Sequence, residues 1–112
     1  MAATRIPAAL ASHPMVQKEI HELGQLLRAG IRVGIKVRGV FHPVHDLRVA
    51  NGHATYRTGL YQFQRYSLTE EVKRLTGLQN VRWLNYVFFK DLFGRIIPVK
   101  KFVAEKHGLR FT

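Results

Sequence analysis

The stretch Ile31-Arg32-Val33-Gly34-Ile35-Lys36-Val37-Arg38 alternates apolar and polar residues without a break. A period of two is the signature of a strand with one buried face. Its other face here is basic, through Arg32, Lys36 and Arg38. The strand runs on to about Phe41, and Pro43 interrupts it, because proline has no N–H to give to a ladder.

Immediately upstream the period is 3.6. Val16, Ile20, Leu23 and Leu27 fall at helical spacing, with Met15 and Leu26 widening the stripe. Ser12 is placed to cap, Pro14 suits the first turn, Glu19 lies near the start, Arg28 suits the last turn, and Gly30 is a stop. The spacing predicts a helix over 14–29. Downstream, residues 42–54 read as a loop, extended at Leu47 to Val49 and turned at Asn51-Gly52. A second strand is expected from Arg57 to Tyr66. A short helix follows at 68–76, capped by Ser67 or Thr69, with Glu70 and Glu71 in its first turn and Gly77 at its end. Val81 to Asp91 is apolar on both faces, as a covered strand is. Beyond it, residues 95–98 read as extended and Val99 to His107 as one or two helical turns.

The order is helix, strand, strand, helix, strand. With a further strand at 4–10 it becomes the split β-α-β, ferredoxin-like sandwich: an α+β domain with two helices on one face of an antiparallel sheet. The expected domain covers 1–91, and 92–112 is expected to form a basic extension.

The chain has 112 residues, with 18 Lys+Arg against 7 Asp+Glu and a formal charge of +11. At 46% hydrophobic it can build a core, which excludes a wholly disordered basic tail. No apolar run reaches a membrane span of roughly 18 residues, so no membrane insertion is expected. Without cysteine, disulfide frameworks and thiolate metal sites are excluded. Residues 1–56 hold 7 Lys+Arg and 3 acids, and residues 57–112 hold 11 and 4, so the charge is spread along the folded elements. Arginines outnumber lysines 11 to 7, and the guanidinium fork suits phosphate. A polyanion, with nucleic acid ahead of membrane, is the partner this surface fits. The opening MAATRIPAALASHP is Ala-rich, contains Arg5 and has no acid, a composition like that of organellar targeting peptides.

Chemistry-bearing clusters are few. His42, His45 and His53, even with Asp46, meet no standard metal spacing and read as polar loop residues. There is no P-loop and no dinucleotide fingerprint; the serines read as caps. No catalytic residue, cofactor, metal or small-molecule substrate is expected. Basic and aromatic residues interleave at Tyr56-Arg57, Tyr61, Phe63, Arg65-Tyr66 and Arg82-Trp83, as in surfaces that stack bases and hold phosphate. Trp83, Phe63 and Phe89 read as core. The candidate RNA-binding residues are Arg32, Lys36, Arg38, Arg57, Arg65 and Arg82, joined by Lys90, Arg95, Lys100 and Lys101 toward the C-terminus.

Two stretches, Gly30-Ile31-Arg32-Val33-Gly34-Ile35-Lys36-Val37 and Asn80-Val81-Arg82-Trp83-Leu84, resemble motifs of the small-subunit ribosomal protein S-six family. The first matches that family's glycine-led strand after the first helix, the second the opening of its last strand. The resemblance spans about residues 14–91. Thr4-Arg5-Ile6-Pro7 stands where the family has Tyr-Glu in its first strand, and 42–54 lacks the family's Gly-x-x-x-Leu pattern. The resemblance implies a ribosomal protein of the mitochondrial matrix, or of a plastid. It would bind small-subunit rRNA on the platform beside the S-eighteen protein, with the tail clamping a neighbour through Phe102 and Phe111. A competing reading is a small basic accessory subunit of an inner-membrane respiratory complex, which the alternation at 31–37 disfavours.

Overall fold

The computed structural model describes residues 14–59 and 61–106. The strand expected at 4–10, the Ser12 cap and Phe111 lie outside them. In chain order the elements are α1 (Pro14–Arg28), β1 (Arg32–Val37), β2 (Val40–Pro43), β3 (His45–Ala50), β4 (His53–Arg57), β5 (Tyr66–Ser67), α2 (Leu68–Thr76), a 3-10 turn (Trp83–Tyr86), β6 (Val87–Lys90), β7 (Ile96–Pro98) and α3 (Val99–Lys106).

The alternation at 31–37 does form a strand, and two-residue turns extend it. β1 and β2 close through Arg38-Gly39, both at positive φ, with Val37 opposite Val40. β3 and β4 close in the same way through Asn51-Gly52. Positive φ at both turn positions matches the right-handed twist of the paired strands. The segment read as a loop at 42–54 is therefore mostly β-structure.

The strands make two antiparallel sheets, one of four in the order β2-β1-β6-β7 and one of three in the order β3-β4-β5. The fold is α+β with antiparallel sheets. Its strand order differs from that of the expected sandwich. In a split β-α-β sheet the strand after the first helix and the last strand lie at opposite edges. Here β1 is interior, and its Val33 and Ile35 pair directly with Phe89 and Val87 of β6.

The core joins Leu23 of α1, Val33 and Ile35 of β1, Leu68 and Val72 of α2, Val87 and Phe89 of β6, and Val99 and Val103 of α3. Trp83 is buried among them, and its indole N–H donates to the carbonyl of Gly52 at 3.1 Å. That bond ties the turn of the three-stranded sheet to the approach of β6. α2 matches its expected bounds: Ser67 Oγ accepts the N–H of Glu70, and the N–H of Gly77 closes on the carbonyl of Lys73 at 2.8 Å.

Three other expectations change. Arg57 to Tyr66 is no strand: β4 ends at Arg57, and the chain returns to pairing only at Tyr66. Val81 to Asp91 begins with the 3-10 turn, so its apolar residues on both sides reflect a turn that buries Trp83 and Leu84 ahead of a four-residue strand. Residues 96–106 are integral to the domain. β7 pairs with β6, and Val99, Val103 and Ala104 are fully buried.

α1 packs its expected apolar face, Val16, Ile20, Leu23, Leu26 and Leu27, against the core, and it buries more than that stripe. Glu19 and Glu22 are buried along with Leu23. Glu22 accepts from Lys106 Nζ at 2.8 Å, and the Glu19 carboxylate lies 3.8 Å from Lys100 Nζ. Both lysines come from α3, so the helix pair carries two matched charges inside its apolar contact. Glu19 thus serves the helix interface instead of the helix dipole.

Candidate nucleic-acid interface

Side chains alternate across a strand, so the register decides what shares a face. On β1 the inward residues are Val33, Ile35 and Val37, leaving Arg32, Gly34 and Lys36 outward. Across β1 and β6, Arg32 stands opposite Lys90 and Gly34 opposite Phe88. Across β1 and β2, Lys36 stands opposite Phe41 and Gly34 opposite Pro43. The outer face of the four-stranded sheet thus gathers Arg32, Lys36 and Lys90 around two half-buried rings, Phe41 and Phe88.

Gly34 makes this packing possible. A Cβ there would lie 2.8 Å from Phe41 Cζ and 2.4 Å from the carbonyl oxygen of His42. With no side chain in the way, the Phe41 ring lies across β1. Lys36 Nζ sits 5.4 Å from the centroid of Phe88, close enough for an ammonium–ring attraction. Among the described residues, none of the three cations of this face is in an ion pair. The inner face meets the helices, where Phe89 and Phe102 make an edge-to-face pair at 5.2 Å. Phe102, expected as a clamp on a neighbour, is thereby half-buried within its own domain.

Arg57 and Arg65 have a different fate. The β3–β4 register shifts between His45 and Arg48, and Asp46 takes a positive φ there. Its carboxylate meets Arg48 at 3.1 Å, Arg57 at 3.0 Å and Arg65 at 2.9 Å. Arg65 is only 24% exposed, and it also donates to Thr55 Oγ1 and the Thr55 carbonyl, each at 3.0 Å, and to the carbonyl of Asp46. Desolvation pushes the Asp46 carboxyl up. Hydrogen bonds from Arg48 and Arg65 and the charges of Arg48 and Arg57 outweigh it and hold the group below its ordinary range. These arginines hold the small sheet together; the aromatic-basic pattern did not show that one aspartate consumes them.

The remaining candidates are scattered. Arg38, in the β1–β2 turn, donates to the carbonyl of Thr76 at 3.4 Å. Arg82 is exposed ahead of the 3-10 turn, and Lys101 is exposed on α3. Lys100 faces Glu19, and Arg95 pairs with Asp91 at 2.7 Å.

Compared with protein-family models, curated proteins and solved structures, the chain matches none. Its chemistry has to be read from its own surface. Trp83 and Phe89 are buried, as expected, but Phe63 is 86% exposed beside an exposed Tyr61 in the segment between β4 and β5. Phe41 and Phe88 of the open face were missed from the sequence, although a lone glycine inside a strand pattern is the signal of a close approach. Among the described residues no three His, Asp or Glu gather as a metal site, and no helix is long and apolar enough to cross a membrane.

Proposed function

We propose that this chain is a structural RNA-binding protein whose contact surface is the outer face of the four-stranded sheet. The observation that carries the reading is the set of three cations, Arg32, Lys36 and Lys90, around Phe41 and Phe88 on one face, none of them in an ion pair among the described residues. Cations neutralise phosphates and release counterions, while rings accept unstacked bases. A net charge of +11 draws RNA to the surface from a distance.

The setting we propose is the small subunit of a mitochondrial ribosome, with rRNA as the ligand and the S-eighteen protein as a neighbour. It rests on the two sequence motifs alone, because the sheet order is not that of the S-six family.

Two measurements test these statements separately. Fluorescence anisotropy with a labelled RNA stem-loop should show affinity falling steeply with salt. The Arg32→Ala, Lys36→Ala, Lys90→Ala triple variant should bind about a hundredfold more weakly at 0.1 M salt, from three phosphate contacts of about 0.7 in salt exponent each. A salt-independent affinity, or an unchanged triple variant, overturns the RNA reading. Sedimentation of cell extracts should place the protein with small ribosomal subunits. Migration with a respiratory complex overturns the ribosomal setting.

A further inference from the structure

The hairpin between β6 and β7 ends in Asp91-Leu92-Phe93-Gly94-Arg95. Turn tips are ordinarily polar. This one holds out Leu92, 93% exposed, and Phe93, 84% exposed. Asp91 closes the loop from within. Its Oδ1 accepts the N–H groups of Phe93 at 2.9 Å and Arg95 at 2.8 Å, and its Oδ2 accepts Arg95 Nε at 2.7 Å. Backbone bonds link the N–H of Asp91 to the Arg95 carbonyl at 2.9 Å and the N–H of Gly94 to the Asp91 carbonyl at 3.1 Å. The Arg95 guanidinium carbon lies 5.4 Å from the centroid of Phe93. The two apolar side chains are therefore presented on a closed turn, so little ordering entropy remains to be lost on contact.

The surroundings limit what the tip can enter. Lys90 ends β6 immediately before it, and Arg32 stands opposite Lys90. The tip thus projects from the cationic end of the proposed RNA face. The acid of the turn itself, Asp91, is held by Arg95. An occupant must offer an apolar surface to Leu92 and Phe93 and negative charge to Lys90 and Arg32. A nucleobase on its phosphate backbone offers both, and aliphatic and aromatic side chains commonly wedge against unstacked base steps.

We propose that the β6–β7 tip is an RNA wedge: Phe93, backed by Leu92, stacks on an unpaired base while Lys90 and Arg32 hold the flanking phosphates. The proposal rests on the RNA reading and adds that unpaired nucleotides are preferred over continuous duplex. The wedge's apolar part, Leu92 and Phe93, is untouched by the triple variant, which removes the two flanking cations Arg32 and Lys90.

The test compares a stem-loop carrying a one-nucleotide bulge, with 2-aminopurine in the bulge, against the same stem fully paired and capped by a tetraloop. The wild-type chain should favour the bulged RNA by on the order of tenfold and change the 2-aminopurine emission. The Leu92→Ser, Phe93→Ser double variant should lose both the preference and the emission change while keeping its salt dependence, and Phe93→Tyr should retain them. Equal preference in the wild type and the double variant overturns the wedge and leaves the RNA reading standing. Absence of any RNA binding by the wild type overturns both. Binding to phosphatidylglycerol-containing vesicles that the double variant loses, with the bulge preference unchanged, assigns the tip to a lipid surface and overturns the wedge.

Discussion

The two sheets use their basic residues in opposite ways. At the three-stranded sheet, Arg48 and Arg57 of its strands and Arg65 just ahead of β5 converge on Asp46, and each has that anion within 3.1 Å. In the four-stranded sheet, Arg32, Lys36 and Lys90 lie on the outer face of the ladder, and among the described residues none of them is in an ion pair. A basic residue in a strand is thus either a structural member or a free contact, and a nearby acid decides which. The formal charge counts both alike; only the second group is open to a polyanion.

The contrast breaks most visibly at Asp46. Asp46→Ala strands Arg57 and Arg65, both largely buried, without an anion. It should destabilise the domain by about 3 kcal/mol, read as a lowered urea midpoint, while RNA affinity of the folded fraction stays the same. Acid should act in the same direction. The Asp46 carboxyl titrates below its unfolded value of 3.8. Its contribution is therefore complete above that value and lost as pH falls through the lower folded pKa. Thermal melts between pH 5 and 2, compared with those of Asp46→Ala, check this, because the variant should lose part of the acid-dependent slope.

Gly34→Ala probes the other sheet. The new methyl has to displace Phe41 or the β2 backbone, so a loss of about 2 kcal/mol is expected together with weaker RNA binding. Arg32→Ala should leave the melting temperature unchanged and reduce RNA affinity about fivefold at 0.1 M salt. Arg65→Ala should do the reverse, lowering stability with little change in the salt slope. Equal effects of the two on RNA would erase the distinction between the sheets. The smallest effect belongs to Lys106→Ala. Its ammonium is half-exposed although the Glu22 carboxylate is buried, so water takes over part of its role and a loss of about 1 kcal/mol is expected, measurable as a small shift in urea midpoint.

How far the sequence could be read depended on whether a segment is governed by neighbours along the chain. α2 carries its cap, its acids and its glycine stop within ten residues, and it forms where those signals put it. β1 keeps strict alternation because one face is core. The segment from Arg57 to Tyr66 misleads because its basic residues are partnered far along the chain: Arg65 donates to Asp46, 19 positions away, a contact that no local pattern shows. The same holds for Glu19 and Glu22, polar by type yet buried by lysines from the far end of the chain. Of the candidate contacts, the strand residues on the polar face of β1 were legible from period alone. Their aromatic companions depended on pairing partners that only the register reveals.

The α1–α3 contact also has a consequence for how the chain folds. Glu22 finds its lysine 84 residues later, and α3 closes the core only after everything between has been made. Contacts this distant in sequence are costly to close and form late. During synthesis, α1 emerges with two carboxylates on the side it will bury, and these remain favourably solvated until α3 arrives. The helix is therefore kept from premature burial by its own charges until α3 is available to pair with them.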